Sequence, residues 1–189
     1  MCAKRPETIL PKVFMFLALI LPSPLYAQSA PPYDRSTFGS WEDIDHDCQN
    51  TRHELLAELS TAIVALSANE CRVTHGRWLD PYSGKVFFES KHLDIDHLVP
   101  LKFAWEHGAS DWSDQQRRAF ANDTRNLFAV EARLNRQKGA KGPSQWLPPN
   151  LKFQCQYVLR FTRIMTVYGL ALSTKEASEV AVIRTRICK

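Results

Sequence analysis

Four cysteines, Cys48, Cys71, Cys155 and Cys188, constrain this chain more than any other feature, because an even count in an exported chain of moderate size favours two disulfides. A fifth, Cys2, falls in a leader. Lys4, Arg5 and Lys12 precede an apolar run from Val13 to Leu21, and Pro22, Pro24 and the small Ala27 follow it. That order describes a secretory signal peptide over residues 1–27 and a secreted or periplasmic product. The run is far short of the roughly 20 residues that cross a bilayer, so no stable membrane insertion is expected after cleavage. Four cysteines allow three pairings. A zinc site is the weaker use for them, since no pair has the close C-x2-C spacing of structural zinc. An unbroken helix from Thr51 to Asn69 would be about 30 Å long, whereas bridged Cα atoms lie within about 7 Å. Either the helix stops near Ser60 and Cys48 meets Cys71, or the pairing is crossed.

Residues 28–189 suit one domain at about 150 residues per domain. With 44% hydrophobic and 23% charged residues, the chain can bury a core and is not a disordered polymer. The net charge is +4 and becomes +2 once Lys4, Arg5, Lys12 and Glu7 leave with the leader, so it says little about partners. Leu55, Leu56 and Leu59 fall on one face of a helix from Thr51 to about Ser60, and Thr61 to Leu66 reads equally as helix or strand. Asp80-Pro81-Tyr82-Ser83-Gly84 is a turn that predicts a hairpin between Cys71–Leu79 and Lys85–Glu89. Ser113 with Gln116, and Ser173 with Glu176, open helices through about Asn122 and Ile187. Between these, Leu151–Tyr168 is amphipathic and stops at Gly169. Two antiparallel helices meeting there would bring Cys155 and Cys188 to one end.

The chemistry lies between Leu93 and Pro149. Asp96 and His97 stand where a short strand gives way to Pro100. Asn126 begins a second strand, Leu127–Val130, and Asn135 lies on a helix starting near Glu131. This strand, loop, strand and helix order can gather a carboxylate, an imidazole and an amide oxygen. Such groups suit phosphodiester hydrolysis with one hard divalent cation: Asp96 and the Asn135 carbonyl are oxygen ligands of the kind Mg²⁺ favours. A neutral imidazole can take a proton from water near neutral pH. Neighbours on a strand point to opposite sides, so Asp96 and His97 share one site only at a bend or a strand end.

The stretch L-D-I-D-H-L-V-P, followed by N-L and by N-R-Q-K, resembles the active site of HNH endonucleases. It is most similar to exported HNH proteins related to the C-terminal domain of GmrSD restriction endonucleases. Residues 71–84, 108–123 and 143–150 share that likeness. The resemblance implies an α+β fold with a ββα-metal (His-Me finger) core over about 93–142, inserted and flanking helices, and disulfide stabilisation. It also implies roles: Asp96 and Asn135 as metal ligands, His97 as general base and Asn126 as the residue that orients it. Lys138, one turn beyond Asn135, would face the same side and contact the phosphate. The implied cofactor is Mg²⁺ or another divalent cation such as Mn²⁺. The third motif position is Asn135 where the family name has His, which favours Mg²⁺ over a zinc-like metal. A C-x-x-T-R-x-E stretch, Cys48–Glu54, also recurs in the exported group, which implies that Arg52 and Glu54 approach the site.

From Ser113 to Gly142 seven basic residues stand against three acidic ones. Arg125, Arg133, Arg136 and Lys141, with Arg52, are therefore candidate nucleic-acid contacts. Phosphate neutralisation is sequence-independent, which predicts low specificity. DNA is the expected partner, RNA the alternative, and a monomer the expected state. A rival reading is a non-enzymatic exported module. In it, Asp43, Asp45, Asp47 and Glu54 occupy calcium-loop positions with Cys48 where the tight turn wants Gly, and the basic helix holds a polyanion. Trp78, Trp105, Trp112 and Trp146 are expected in the core.

Overall fold

In a computed structural model, Met1 and residues 31–189 are described, so the expected leader lies outside the described residues. The first helix, α1 (Thr51–Leu59), ends at Ser60, which selects the first of the two disulfide alternatives. Cys48 and Cys71 are bridged with Cα atoms 5.1 Å apart. The turn at Asp80 joins β2 (Val73–Leu79) to β3 (Val86–Glu89) because the Asp80 carboxylate accepts the Tyr82 and Ser83 backbone N–H groups, both at 2.9 Å, while Gly84 supplies a φ of +73°. A two-residue strand, β1 (Ala65–Leu66), pairs along the other edge of β2 to complete an antiparallel sheet in the order β1-β2-β3. The ambiguous stretch after Ser60 is therefore mostly irregular, with strand only at its end.

A separate antiparallel pair carries the motif: β4 (Leu93–His97) against β5 (Leu127–Glu131), with His97 opposite Leu127 and Asp96 opposite Phe128. A helix not evident from the sequence pattern, α2 (Leu101–Glu106), begins directly after Pro100. Both capping boxes form as the sequence predicts. Ser113 opens α3 (Asp114–Asn122) and Ser173 opens α6 (Thr174–Ile187), each with its reciprocal Gln116 or Glu176 bond. Directly after β5, α4 (Ala132–Lys138) runs until Gly139, whose φ of +54° ends it. The long amphipathic helix α5 (Leu151–Val167) turns at Gly169 onto α6, and Cys155 and Cys188 are bridged across the pair with Cα atoms 5.0 Å apart.

The β4–β5 pair separates two apolar clusters. Leu93 and Ile95 alternate into the smaller one, with Leu55, Leu56, Val73 and Trp78, whose indole N–H donates to the Leu56 carbonyl at 2.7 Å. Val130 and Leu134 join the larger one with Phe103, Phe120, Tyr157 and Phe161. Segment 31–42 is bound to this body: Phe38 is fully buried and the Trp105 indole donates to the Pro31 carbonyl at 2.8 Å. The result is a mixed α+β molecule with two disulfides. Among the described residues no helix is long and apolar enough to cross a membrane.

Candidate active site

His97 ends β4 because the backbone turns immediately after it. Leu98 N–H donates to the Asn126 carbonyl at 2.7 Å, and the fully buried Asn126 side chain grips Val99 twice, accepting from its N–H at 2.9 Å and donating to its carbonyl at 3.2 Å. Asn126 thus acts on the turn beside the imidazole and not on the ring. The ring is fixed from two other directions. Nε2 lies 2.8 Å from the Ala121 carbonyl, and the Trp41 indole stacks on the imidazole at 5.3 Å and 3°. A nitrogen bonded to a carbonyl must carry the proton, so Nδ1 is the lone-pair nitrogen. No hydrogen bond engages Nδ1 among the described residues. Burial lowers the His97 pKa to about 3, opposed by the Ala121 bond and reinforced by the positive charges of Arg35 and Lys138.

Asp96, 5% exposed, turns into the protein. Its Oδ1 accepts from Lys138 Nζ at 2.9 Å and its Oδ2 from the Tyr82 hydroxyl at 2.6 Å, with Lys138 Nζ also 2.8 Å from Oδ2. The same ammonium donates to the His97 carbonyl at 2.7 Å. Lys138 is fully buried and lies behind the cavity, away from any position where it would meet a phosphate from solvent. Burial raises the Asp96 pKa and lowers that of Lys138, each against the pull of the other's charge.

Asp94 shares Asp96's face of the strand and is only partly buried. Its Oδ2 accepts from Asn135 Nδ2 at 3.1 Å. That bond turns the amide nitrogen to Asp94 and leaves Asn135 Oδ1 without a hydrogen bond among the described residues. A cavity of about 450 Å³ opens here, at the end of β4, lined by Asp94, Asp96, His97 and Asn135, by Arg52 of α1, and by Tyr33, Arg35, Trp41 and Lys102. Arg52 is held in place by donating to the Leu93 carbonyl at 2.9 Å.

Of the residues expected from sequence, the fold brings Asp96, His97, Asn135 and Arg52 to one cavity and sets Asn126 and Lys138 behind it. Four candidate contacts do not line it. Arg125 is tied to Asp123 at 2.7 Å, Arg133 to Glu131 at 2.9 Å, Lys141 to the Gln137 carbonyl at 2.9 Å, and Arg136 is exposed. Sequence reasoning missed Asp94, whose signal was available, since it stands two residues before Asp96 and must share its face. It also missed Tyr82, Arg35, Trp41 and Lys102, which reach the site only through tertiary packing. In the acidic segment, carboxylate oxygens of Asp43, Asp45 and Asp47 lie within 4.8 Å of one another. Burial and these three charges together raise the Glu54 pKa.

Comparison with known proteins identifies the family. The family described as GmrSD restriction endonucleases, C-terminal domain, matches residues 49–180. An uncharacterized secreted protein of Arthroderma benhamiae is 37% identical over 148 residues, covering 77% of this chain and 71% of the relative. No solved structure matches. The secreted relative and the two disulfides agree with an exported protein.

Proposed function

Because the chain belongs to the family of GmrSD restriction endonuclease C-terminal domains, we propose that it is a secreted metal-dependent endonuclease in which β4, β5 and α4 act as a ββα-metal core. It hydrolyses phosphodiester bonds of DNA, with RNA as the alternative substrate, and works as a monomer. One observation carries this reading. A single cavity collects an imidazole with a free Nδ1, carboxylate and amide oxygens, and an arginine.

The donors suit a hard divalent cation. Asn135 Oδ1 has no hydrogen bond among the described residues, and Asp96, with about four lone-pair positions on its carboxylate, has three of them engaged by Lys138 and Tyr82. Asp96 and Asn135 would therefore hold Mg²⁺ or Mn²⁺, with Asp94 fixing the Asn135 amide. The ion, when bound, supplies charge stabilisation to the scissile phosphate and its leaving oxygen. His97 Nδ1 takes a proton from the attacking water, while the Ala121 carbonyl holds the opposite nitrogen and stabilises the charge that develops. In the free cavity His97 is neutral across the physiological range. An anionic phosphate beside it raises its proton affinity when the proton must be accepted. Asn126 keeps the strand end in place, and Lys138 compensates the Asp96 charge while pinning the His97 backbone. Arg52 meets phosphate oxygens, which carry no sequence information, so specificity is low.

The test is supercoiled plasmid incubated with the oxidatively folded protein in Mg²⁺, in EDTA and with His97→Ala. Cleavage in the first alone, with unchanged circular dichroism for the variant, supports the reading. Plasmid and RNA both intact in Mg²⁺, Mn²⁺ and Ca²⁺ overturn it. That outcome would favour the rival calcium- or polyanion-binding module, for which the convergence of Asp43, Asp45 and Asp47 speaks.

A further inference from the structure

Arg35 and Lys102 face the same cavity from elements outside the β4–β5–α4 unit. Arg35 stands on a 3-10 helix, Arg35–Phe38, upstream of residues 49–180 that match the family. Lys102 stands in the first turn of α2. We propose that these two side chains form a second phosphate subsite at the cavity rim, which binds a backbone phosphate next to the scissile one in a nucleic-acid strand. This inference rests on the nuclease reading of the cavity.

The upstream segment is seated firmly enough to serve. Asp34 caps its helix by accepting from Ser36 N–H at 2.8 Å, and the Phe38 ring packs 6.2 Å from Trp105 and 6.4 Å from Phe120. Glu42 N–H donates to Asn122 Oδ1 at 3.0 Å, and Asn122 Nδ2 donates to the Ser40 carbonyl at 3.3 Å. The backbone that carries the guanidinium is already ordered, so binding costs side-chain freedom alone. The guanidinium is also available. Among the described residues Arg35 makes no ion pair, and its hydrogen bond is a long one, Nη1 to the Gly39 carbonyl at 3.4 Å. Lys102 has a half-exposed partner, Glu106, at 3.8 Å, which a phosphate can displace because such exposed pairs are weak. Arg52, anchored by its bond to the Leu93 carbonyl, is the cation assigned to the scissile phosphate. Asp96 is buried and Asp94 partly buried, whereas Arg35 and Lys102 are both exposed, so a further anion without its own metal is drawn to these two cations and away from the carboxylates. Guanidinium and ammonium groups both suit a phosphodiester oxygen.

Full-length protein with its disulfides formed is compared with Arg35→Gln/Lys102→Gln on a fluorescent 20-base-pair duplex and on bis(4-nitrophenyl) phosphate, whose single phosphodiester has no neighbour. The double variant should raise KM for the duplex about tenfold or more, a larger change than any in kcat. The slope of log affinity against log salt should fall by about 0.9 per lost contact. Hydrolysis of bis(4-nitrophenyl) phosphate should change much less than cleavage of the duplex, and Arg35→Lys, which keeps the charge, should recover part of the duplex affinity. A duplex KM and salt slope identical to the parent overturn the subsite while the nuclease stands, as does an equal loss on both substrates. If neither protein cleaves, the nuclease reading fails, and direct duplex binding decides: a reduced slope retains the subsite, an unchanged one or no binding removes it. Should the double variant melt early, Lys102→Gln alone, on the exposed face of α2, gives the same readout at half the slope change.

Discussion

Asp94 and Asp96 stand two residues apart on one face of β4, yet the fold puts them to opposite uses. Asp96 is buried, and its carboxylate is engaged by Lys138 and Tyr82. Asp94 is partly exposed, touches Asn135 through a single bond and faces the cavity. The first is a dry ion pair whose members depend on each other. The second is a partly exposed group that positions a neighbour, the Asn135 amide. His97, on the strand's other face, belongs with the dry side: it too is buried and its ring is fixed by protein groups. Equal chemistry at equal spacing therefore says where a carboxylate points but not what surrounds it.

The largest expected effect breaks the dry pair. Lys138→Ala leaves an uncompensated buried carboxylate and should cost about 3–5 kcal/mol in urea unfolding. Lys138→Met combined with Asp96→Asn should recover much of that loss. A cost below about 1 kcal/mol would place Asp96 in contact with water and erase the contrast.

Acid should expose the dryness of His97 next. Its pKa is about 3 in the folded protein against an ordinary 6.5, so the unfolded chain binds the proton first. As pH falls below about 6.5 the His97 contribution should lower stability by up to about 1.4 kcal/mol per unit until near pH 3. The measurement is the difference in urea midpoints between parent and His97→Gln over that window. Parallel curves would mean the imidazole titrates as if solvated.

The smallest effect on stability belongs to Asp94→Asn, which keeps an acceptor for Asn135 and should change unfolding by no more than about 0.5 kcal/mol. Its consequence should appear elsewhere, as an about 10–100-fold loss of Mn²⁺ affinity in calorimetric titration, because the partner that orients the Asn135 amide has lost its charge. Destabilisation as great as that of Lys138→Ala would show Asp94 to be structural.

The local elements were legible because each has a local cause. The Asp80–Gly84 turn, both capping boxes, the stop at Gly169 and the strand, strand and helix order around Asp96, Asn126 and Asn135 all follow from nearest-neighbour chemistry. The disulfides followed in part: helix length left Cys48–Cys71 or a crossed pairing, between which the structure decided, and the turn at Gly169 favoured Cys155 with Cys188. The short α2 was not legible, since its Leu101, Phe103, Ala104 and Trp105 are buried around much of the helix and leave no amphipathic stripe.

The sequence by itself determined which groups are present and which share a strand face, because the period of a strand and the caps of a helix are set by covalent geometry and the next few residues. Tertiary structure alone decided their environments. It brought Tyr82, fourteen residues away, onto Asp96, laid Trp41 on His97, placed Arg35 at the cavity and removed Lys138 from solvent. Charge state and reactivity follow from desolvation and from partners distant in sequence, and neither is fixed until the two apolar clusters have closed around β4 and β5.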